Sequence, residues 1–144
     1  MIRLFTMLAV SATICGLSST AQAHVNPEDV AARCVDRVES LVDRYQDVTA
    51  DKGQECLATI RRLLAAGRKE AAIHAGRRCI EASRQRADDV LTDTRSLCAE
   101  CIEYLRTVGA YRFAARVQNA CEDAALIMGA TQDRLESIIH TALE

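Results

Sequence analysis

The sequence is poor in the residues from which β-structure and tight turns are built. Its 144 residues include one proline, six glycines and no tryptophan, and aromatic residues make up 3%. Strands are enriched in aromatic residues, and the turns between them depend on glycine and proline, so this composition argues against an all-β protein. Apolar residues make up 49% and charged residues 26%, which excludes an intrinsically disordered chain. The composition favours one small helical domain.

The sequence also lacks the motifs of common catalytic sites. It contains no glycine-rich phosphate loop, no GxSxG motif and no HExxH motif. We therefore expect a protein that is not an enzyme and needs no cofactor. The formal net charge is -2 and aromatic side chains are few, so nucleic acid is not expected as a partner.

Residues 1–23 have the features of a secretory signal peptide. Arg3 supplies a positive start, an apolar stretch follows at 4–17, and small residues lead to a cleavage site ending in Ala23. The apolar stretch is too short to span a bilayer as a helix. We expect a bacterial periplasmic or secreted protein, whose mature part, residues 24–144, is one helical domain without a transmembrane segment.

Apolar residues recur at helical spacing along most of the mature part. Asn26 and Pro27 are a typical helix start, since asparagine caps the first turn and proline fits the first helical position. The pattern breaks at residues 49–51, where an aspartate in a capping-box arrangement indicates a second helix, and Gly67 indicates its end. Gly129 similarly indicates the end of a later helix. We expect an all-α fold of five or six helices in antiparallel hairpins, as a short repeat solenoid or a closed bundle.

The chain resembles itself when it is shifted by 42 residues. Ten positions are identical, and they include predicted caps, core positions, the turn glycine and two cysteines. The first members are Asp47, Val48, Asp51, Cys56, Ile60, Leu63, Gly67, Ala72, Cys79 and Ala82, and each recurs 42 positions later. The predicted repeats are therefore the hairpins 47–88 and 89–130, followed by a truncated unit from Thr131.

The second predicted turn resembles that of tetratricopeptide repeats. Residues 109–114 read Gly-Ala-Tyr-Arg-Phe-Ala and match the Gly-x-Tyr-x-x-Ala pattern of that family, and Gly67 and Ala72 keep its first and last positions. The resemblance covers roughly 20 residues of each hairpin, and the period of 42 differs from the family's 34. It implies hairpin geometry and a protein or peptide partner.

Six of the seven cysteines remain after signal cleavage, an even number that is typical of disulfides in an exported protein. Cys56 precedes Gly67 by 11 residues and Cys79 follows it by 12, so the two cysteines lie at one level on antiparallel helices. The same spacing recurs around the second turn glycine. We therefore predict the bonds Cys56–Cys79 and Cys98–Cys121.

The last two cysteines, Cys34 and Cys101, have no mates across a turn. We predict that they bond to each other, which would connect distant helices and favour a closed bundle over an open solenoid. Two alternatives remain open for the cysteines. They could hold a soft metal such as copper or zinc, or the CxxC at 98–101 could handle thiols.

Basic residues are concentrated in the middle of the chain. Residues 52–87 carry nine basic and three acidic side chains, whereas the segments on either side are acidic. One interpretation is attraction between packed helices together with solvated faces. The functional interpretation is an anionic partner, with Arg61, Arg62, Arg77 and Arg78 as candidate binding residues. Our leading hypothesis is a non-catalytic module that binds an unidentified protein or peptide, and an anionic surface is the alternative partner.

Overall fold

The computed structural model describes residues 25–144, and the predicted signal peptide lies outside them. Three long helices account for nearly all of this range: α1 (Pro27–Ala65), α2 (Lys69–Thr107) and α3 (Tyr111–Leu143). Each helix contacts both of the others, and no strand occurs between residues 25 and 144. The predicted all-α fold is therefore confirmed. Because α1 packs against α3, the arrangement is a closed bundle and not an open solenoid.

The predicted number of helices was wrong. Residues 49–51 lie inside α1, so neither the break nor the second helix start exists, and Gly129 and Thr131 lie inside α3. The buried stripe of α1 passes through Val42, Tyr45 and Thr49 and continues without interruption. The apolar pattern stops there because polar and small side chains occupy core positions, and not because the helix ends.

The helix ends follow the predicted local chemistry. The Asn26 side chain accepts a hydrogen bond from the backbone N–H of Glu28 at 3.0 Å. Gly67 and Gly109 adopt positive φ values of 70° and 73°, the conformation that closes a helix and that glycine adopts at no steric cost. The first two helices have 39 residues each, with a three-residue turn after each of them. The 42-residue spacing of the two turns thus corresponds to one helix and one turn, not to a separate hairpin.

Three disulfides connect the helices in the pairing that we predicted. Cys34–Cys101 and Cys56–Cys79 join α1 to α2, with Cα separations of 6.4 Å and 6.2 Å. Cys98–Cys121 joins α2 to α3, with a Cα separation of 6.3 Å. The middle helix therefore carries one end of every disulfide.

The core consists of two apolar clusters at different levels of the bundle. The larger cluster surrounds Val38, Leu105, Val117 and Met128, near the α2–α3 turn. The smaller one is built around Ile60, Ala72 and Ile139, near the α1–α2 turn. Within residues 25–144, no helix combines the length and the apolar character needed to cross a membrane. The three disulfides are compatible with an extracellular or periplasmic protein.

Candidate functional site

A layer of polar side chains separates the two apolar clusters. We call it the polar layer and define it as Tyr45, Thr49, Ser83, Arg86 and Gln132. Four of its members are buried, with exposed fractions of 2% for Tyr45, Thr49 and Ser83 and 8% for Gln132. Buried polar groups cost free energy unless they are hydrogen-bonded, so the pairing within this layer determines its chemistry.

Gln132 is the centre of the hydrogen bonds in the polar layer. Its Oε1 accepts a bond from Ser83 Oγ at 2.6 Å and a longer one from Tyr45 Oη at 3.4 Å. Its Nε2 donates to Glu136 Oε1 at 2.8 Å. Arg84 then donates two bonds to the Glu136 carboxylate, at 2.7 Å and 2.6 Å. The network thus runs from the middle of the core to the surface of α2.

The surroundings of Tyr45 and Glu136 favour one protonation state of each side chain near neutral pH. Burial raises the pKa of Tyr45, against the opposing effects of the nearby Thr49 and Ser83 hydroxyls and the Arg86 charge, so the phenol stays protonated. The bonds from Arg84, and then the one from Gln132, lower the pKa of Glu136, which therefore stays ionised.

Two atoms of the polar layer are buried without a hydrogen-bond partner in the part of the chain that the structure describes. They are Thr49 Oγ1 and Arg86 Nη1. The two are not equivalent, because the hydroxyl is neutral whereas Arg86, a half-buried residue, is charged, and a charged donor without a partner costs more to bury. Arg86 is therefore the side chain of the layer for which a missing partner costs the most free energy.

Arg86 also lines a cleft that opens between α1 and α2. The cleft has a volume of about 300 Å³ and runs beside the Cys56–Cys79 disulfide. Leu135 of α3 contributes to its lining. Gly53 of α1 allows α3 to approach closely, because a Cβ at this position would lie 2.8 Å from Leu135 Cδ1. We call this cavity the basic cleft, because its charged residues are Lys52, Glu55, Arg78 and Arg86.

The charges of the basic cleft are only partly compensated. Lys52 pairs with Glu55 at 2.8 Å, and these two neutralise each other. Within residues 25–144, neither Arg78 nor Arg86 has a carboxylate within ion-pair distance. The cleft therefore carries two positive charges without a protein counter-charge.

The structure places the four predicted binding arginines on the surface around the α1–α2 turn. Arg61, Arg62, Arg77 and Arg78 are all exposed, and Arg78 is the one that lines the basic cleft. The single ion pair between helices in the described range is Arg84–Glu136, at 2.6 Å. Attraction between packed helices therefore accounts for only one of the nine basic residues at 52–87.

Sequence reasoning missed the inner residues of this site. Ser83 and Arg86 lie at positions where the helical periodicity of α2 requires partly or fully buried side chains. Thr49 in α1 and Gln132 in α3 likewise lie at positions that the periodicity of their helices assigns to the core. The available signal was a polar residue at a core position in each of three helices, but the sequence alone does not show that they share one level.

Comparison of the chain with known protein families, characterised proteins and solved structures finds no match. The resemblance to tetratricopeptide repeats therefore stays a prediction that concerns the turn residues. The surfaces and chemistry of the bundle itself are therefore the basis for proposing its function.

Proposed function

We propose that this protein is an exported, non-catalytic helical module that binds an acidic segment of a protein or peptide partner. The binding surface is the basic end of the bundle, defined as residues 52–87, which form the α1–α2 hairpin around Gly67. One observation is the main support for this proposal. Of the nine basic side chains at this end, ion pairs in the described range involve only Lys52 and Arg84.

The uncompensated charges support an anionic partner. Arg61, Arg62, Arg77 and Arg78 are exposed, so their charges act on the solution and not on the core. A surface of one charge sign accelerates encounter with a partner of the opposite sign and disfavours partners of the same sign. The other end of the bundle is acidic, which gives a partner one preferred end to approach.

The rigidity of the basic end supports binding by a preformed surface. The Cys56–Cys79 bond holds α1 and α2 together within this end, with Cα atoms 6.2 Å apart. Gly67 closes the hairpin with a fixed turn, in which Arg68 N–H donates to the Leu63 carbonyl at 2.9 Å. A preorganised surface loses less conformational entropy on binding than a mobile one.

The chemistry of the polar layer supports a non-catalytic role. Ser83 donates its hydroxyl hydrogen to the amide oxygen of Gln132, and an amide oxygen is not a general base. All six cysteines of the described range are bonded in disulfides, so this state offers no thiolate to a soft metal or to a redox substrate. The soft-metal and thiol alternatives therefore find no support in this geometry.

The test is binding of a labelled peptide of glutamate and aspartate to the disulfide-bonded protein, followed by fluorescence anisotropy. Reversal of four charges, with Arg61, Arg62, Arg77 and Arg78 changed to Glu, is expected to weaken binding by roughly eight- to thirtyfold, on the order of 0.3–0.5 kcal/mol for each exposed charge. Added salt should weaken binding of the unchanged protein, because exposed charges are screened over about 10 Å at 0.1 M.

The matched control reverses four exposed arginines at the acidic end: Arg33, Arg37, Arg95 and Arg116. This variant has the same net charge as the first one but keeps the basic end, so it should bind the peptide with less than threefold loss. Equal losses in both variants would mean that net charge and not the basic end governs binding. Binding to anionic lipid vesicles without binding to the peptide would assign the surface to a membrane and overturn the proposal.

A further inference from the structure

The guanidinium of Arg86 has no carboxylate within ion-pair distance among the described residues. Its Nη1 atom is buried and has no hydrogen-bond partner in the described range. Arg86 as a residue is half-buried, so this one donor, and not the whole guanidinium, is removed from water. A buried donor without a partner costs free energy, and in native structures such a donor usually binds an ion or a water. The position of Arg86 therefore requires an explanation.

The nearby carboxylates do not provide it. Glu55 lies in the same cleft but accepts hydrogen bonds from Lys52 at 2.8 Å and 3.1 Å. Glu136, at the edge of the polar layer, is held by two bonds from Arg84. Each acid thus has its own cation, and Arg86 faces the cleft together with Arg78, which has no ion pair in the described range.

We infer that the basic cleft is a subsite for one oxyanion group, a carboxylate or a phosphate, held between Arg86 and Arg78. The inference rests on the proposed function and deepens it, because one acidic group of the partner enters the bundle here. Guanidinium groups offer planar, forked donors that match the geometry of both kinds of oxyanion.

The dimensions of the cleft favour a single group over an extended ligand. Its volume of about 300 Å³ lies at the lower limit for pockets that hold small molecules. The rest of the lining combines apolar residues such as Ala75, Ala82 and Leu135 with the hydroxyl-bearing Thr59 and Ser83. Arg86 is half-buried, so its charge is less screened by water than that of an exposed arginine and attracts an anion more strongly.

The experiment is an NMR titration of the disulfide-bonded protein with sodium phosphate and, separately, sodium acetate. Sodium chloride keeps the ionic strength constant. We expect the backbone amide signals of Gly53 and Ser83 to shift and saturate with at least one of the two oxyanions. The phosphate and acetate arms identify which oxyanion the cleft prefers. Shifts that also appear with chloride alone would overturn the inference.

Arg86→Met is the decisive variant, since methionine keeps much of the apolar stem and removes the guanidinium. It should lose at least tenfold in oxyanion affinity, whereas Arg95→Met, which removes the same charge at an exposed position of α2 outside the cleft, should stay within twofold. Arg78→Met, at an exposed position of the cleft, serves as a second variant that leaves the core untouched. Unchanged affinity in both cleft variants would overturn the inference.

Binding measurements with the peptide and with the ions test the proposed function and the subsite separately. If the acidic peptide binds to the basic end but neither oxyanion binds in the cleft, the subsite is wrong and the proposed function stands. If an oxyanion saturates the cleft but the peptide does not bind, the subsite is supported and the proposed function is wrong.

Discussion

Cys34 and Cys101 are 67 residues apart in the chain, yet their Cα atoms lie 6.4 Å from each other. Cys56 lies 22 residues after Cys34, and Cys79 lies 22 residues before Cys101, so both bonds have the same antiparallel register. A step of 22 residues is close to six helical turns, and the two bonds therefore leave α1 from nearly the same side. One seam of α1 and α2 is thus fixed at two points about 33 Å apart.

Removal of these two bonds should destabilise the bundle by different amounts. Replacing Cys34 and Cys101 by Ala is expected to lower the free energy of unfolding by about 4 kcal/mol, and the same change at Cys56 and Cys79 by about 3 kcal/mol. The difference arises because the first bond closes 67 residues and the second only 23. Urea denaturation of both variants measures it. The reverse order would mean that restriction of the unfolded chain is not the main contribution.

The sequence predicted the features that depend on local chemistry. A glycine with positive φ at Gly67 and Gly109, a capping Asn26 and cysteines equidistant from a turn are each set by residues close together in the chain. The Cys34–Cys101 bond could be inferred because the other four cysteines already had mates. These features were sufficient to predict an all-α fold of connected hairpins.

The sequence failed where the core itself is polar. A break in the apolar pattern at residues 49–51 has the same appearance whether a helix ends or a polar side chain enters the core. Here Thr49 is buried inside a continuous helix, at the level where Gln132 of α3 is also buried. Which polar residues share a level depends on how three helices are packed. For the same reason the basic cleft, which needs Leu135 from α3, could not be predicted.

The helical glycine Gly129 is expected to be replaceable with a gain in stability. It is exposed within α3, and a Cβ there would meet nothing within 4 Å. Gly129→Ala should therefore stabilise the bundle by about 0.5–1 kcal/mol, the usual cost of glycine inside a helix. Gly67→Ala is the contrasting variant and should destabilise by about 1 kcal/mol, because alanine is strained at a φ of 70°. Urea denaturation gives both values, and a loss at Gly129 would contradict a continuous α3.

The polar layer should respond oppositely to two small changes. Thr49→Val keeps the shape and removes a buried hydroxyl without a partner, so we expect stabilisation by about 1 kcal/mol. Ser83→Ala removes the donor that lies 2.6 Å from Gln132 Oε1 and should destabilise by about 1–2 kcal/mol. Thr141→Val, at an exposed position, is the control and should change stability by less than about 0.5 kcal/mol. Destabilisation by Thr49→Val would mean that this hydroxyl is hydrogen-bonded in solution.

The ion pair between α2 and α3 should make stability depend on acid pH through Glu136. The bonds from Arg84 and Gln132 hold the pKa of Glu136 below its ordinary value of 4.5. A carboxyl whose pKa is lower in the folded state contributes stability that is present above about pH 4.5 and is lost as the pH falls through the folded-state pKa. Glu136→Gln should remove this part of the pH dependence and lower stability at pH 7, where Arg84 loses its charged partner. Denaturation of both proteins between pH 2 and pH 7 measures the effect, with Glu103→Gln as an exposed control. Parallel curves for the unchanged protein and Glu136→Gln would show that this pair contributes nothing to the pH dependence. The Cys98–Cys121 bond, the Ser83–Gln132 hydrogen bond and apolar contacts would then hold α3 against α2 without it.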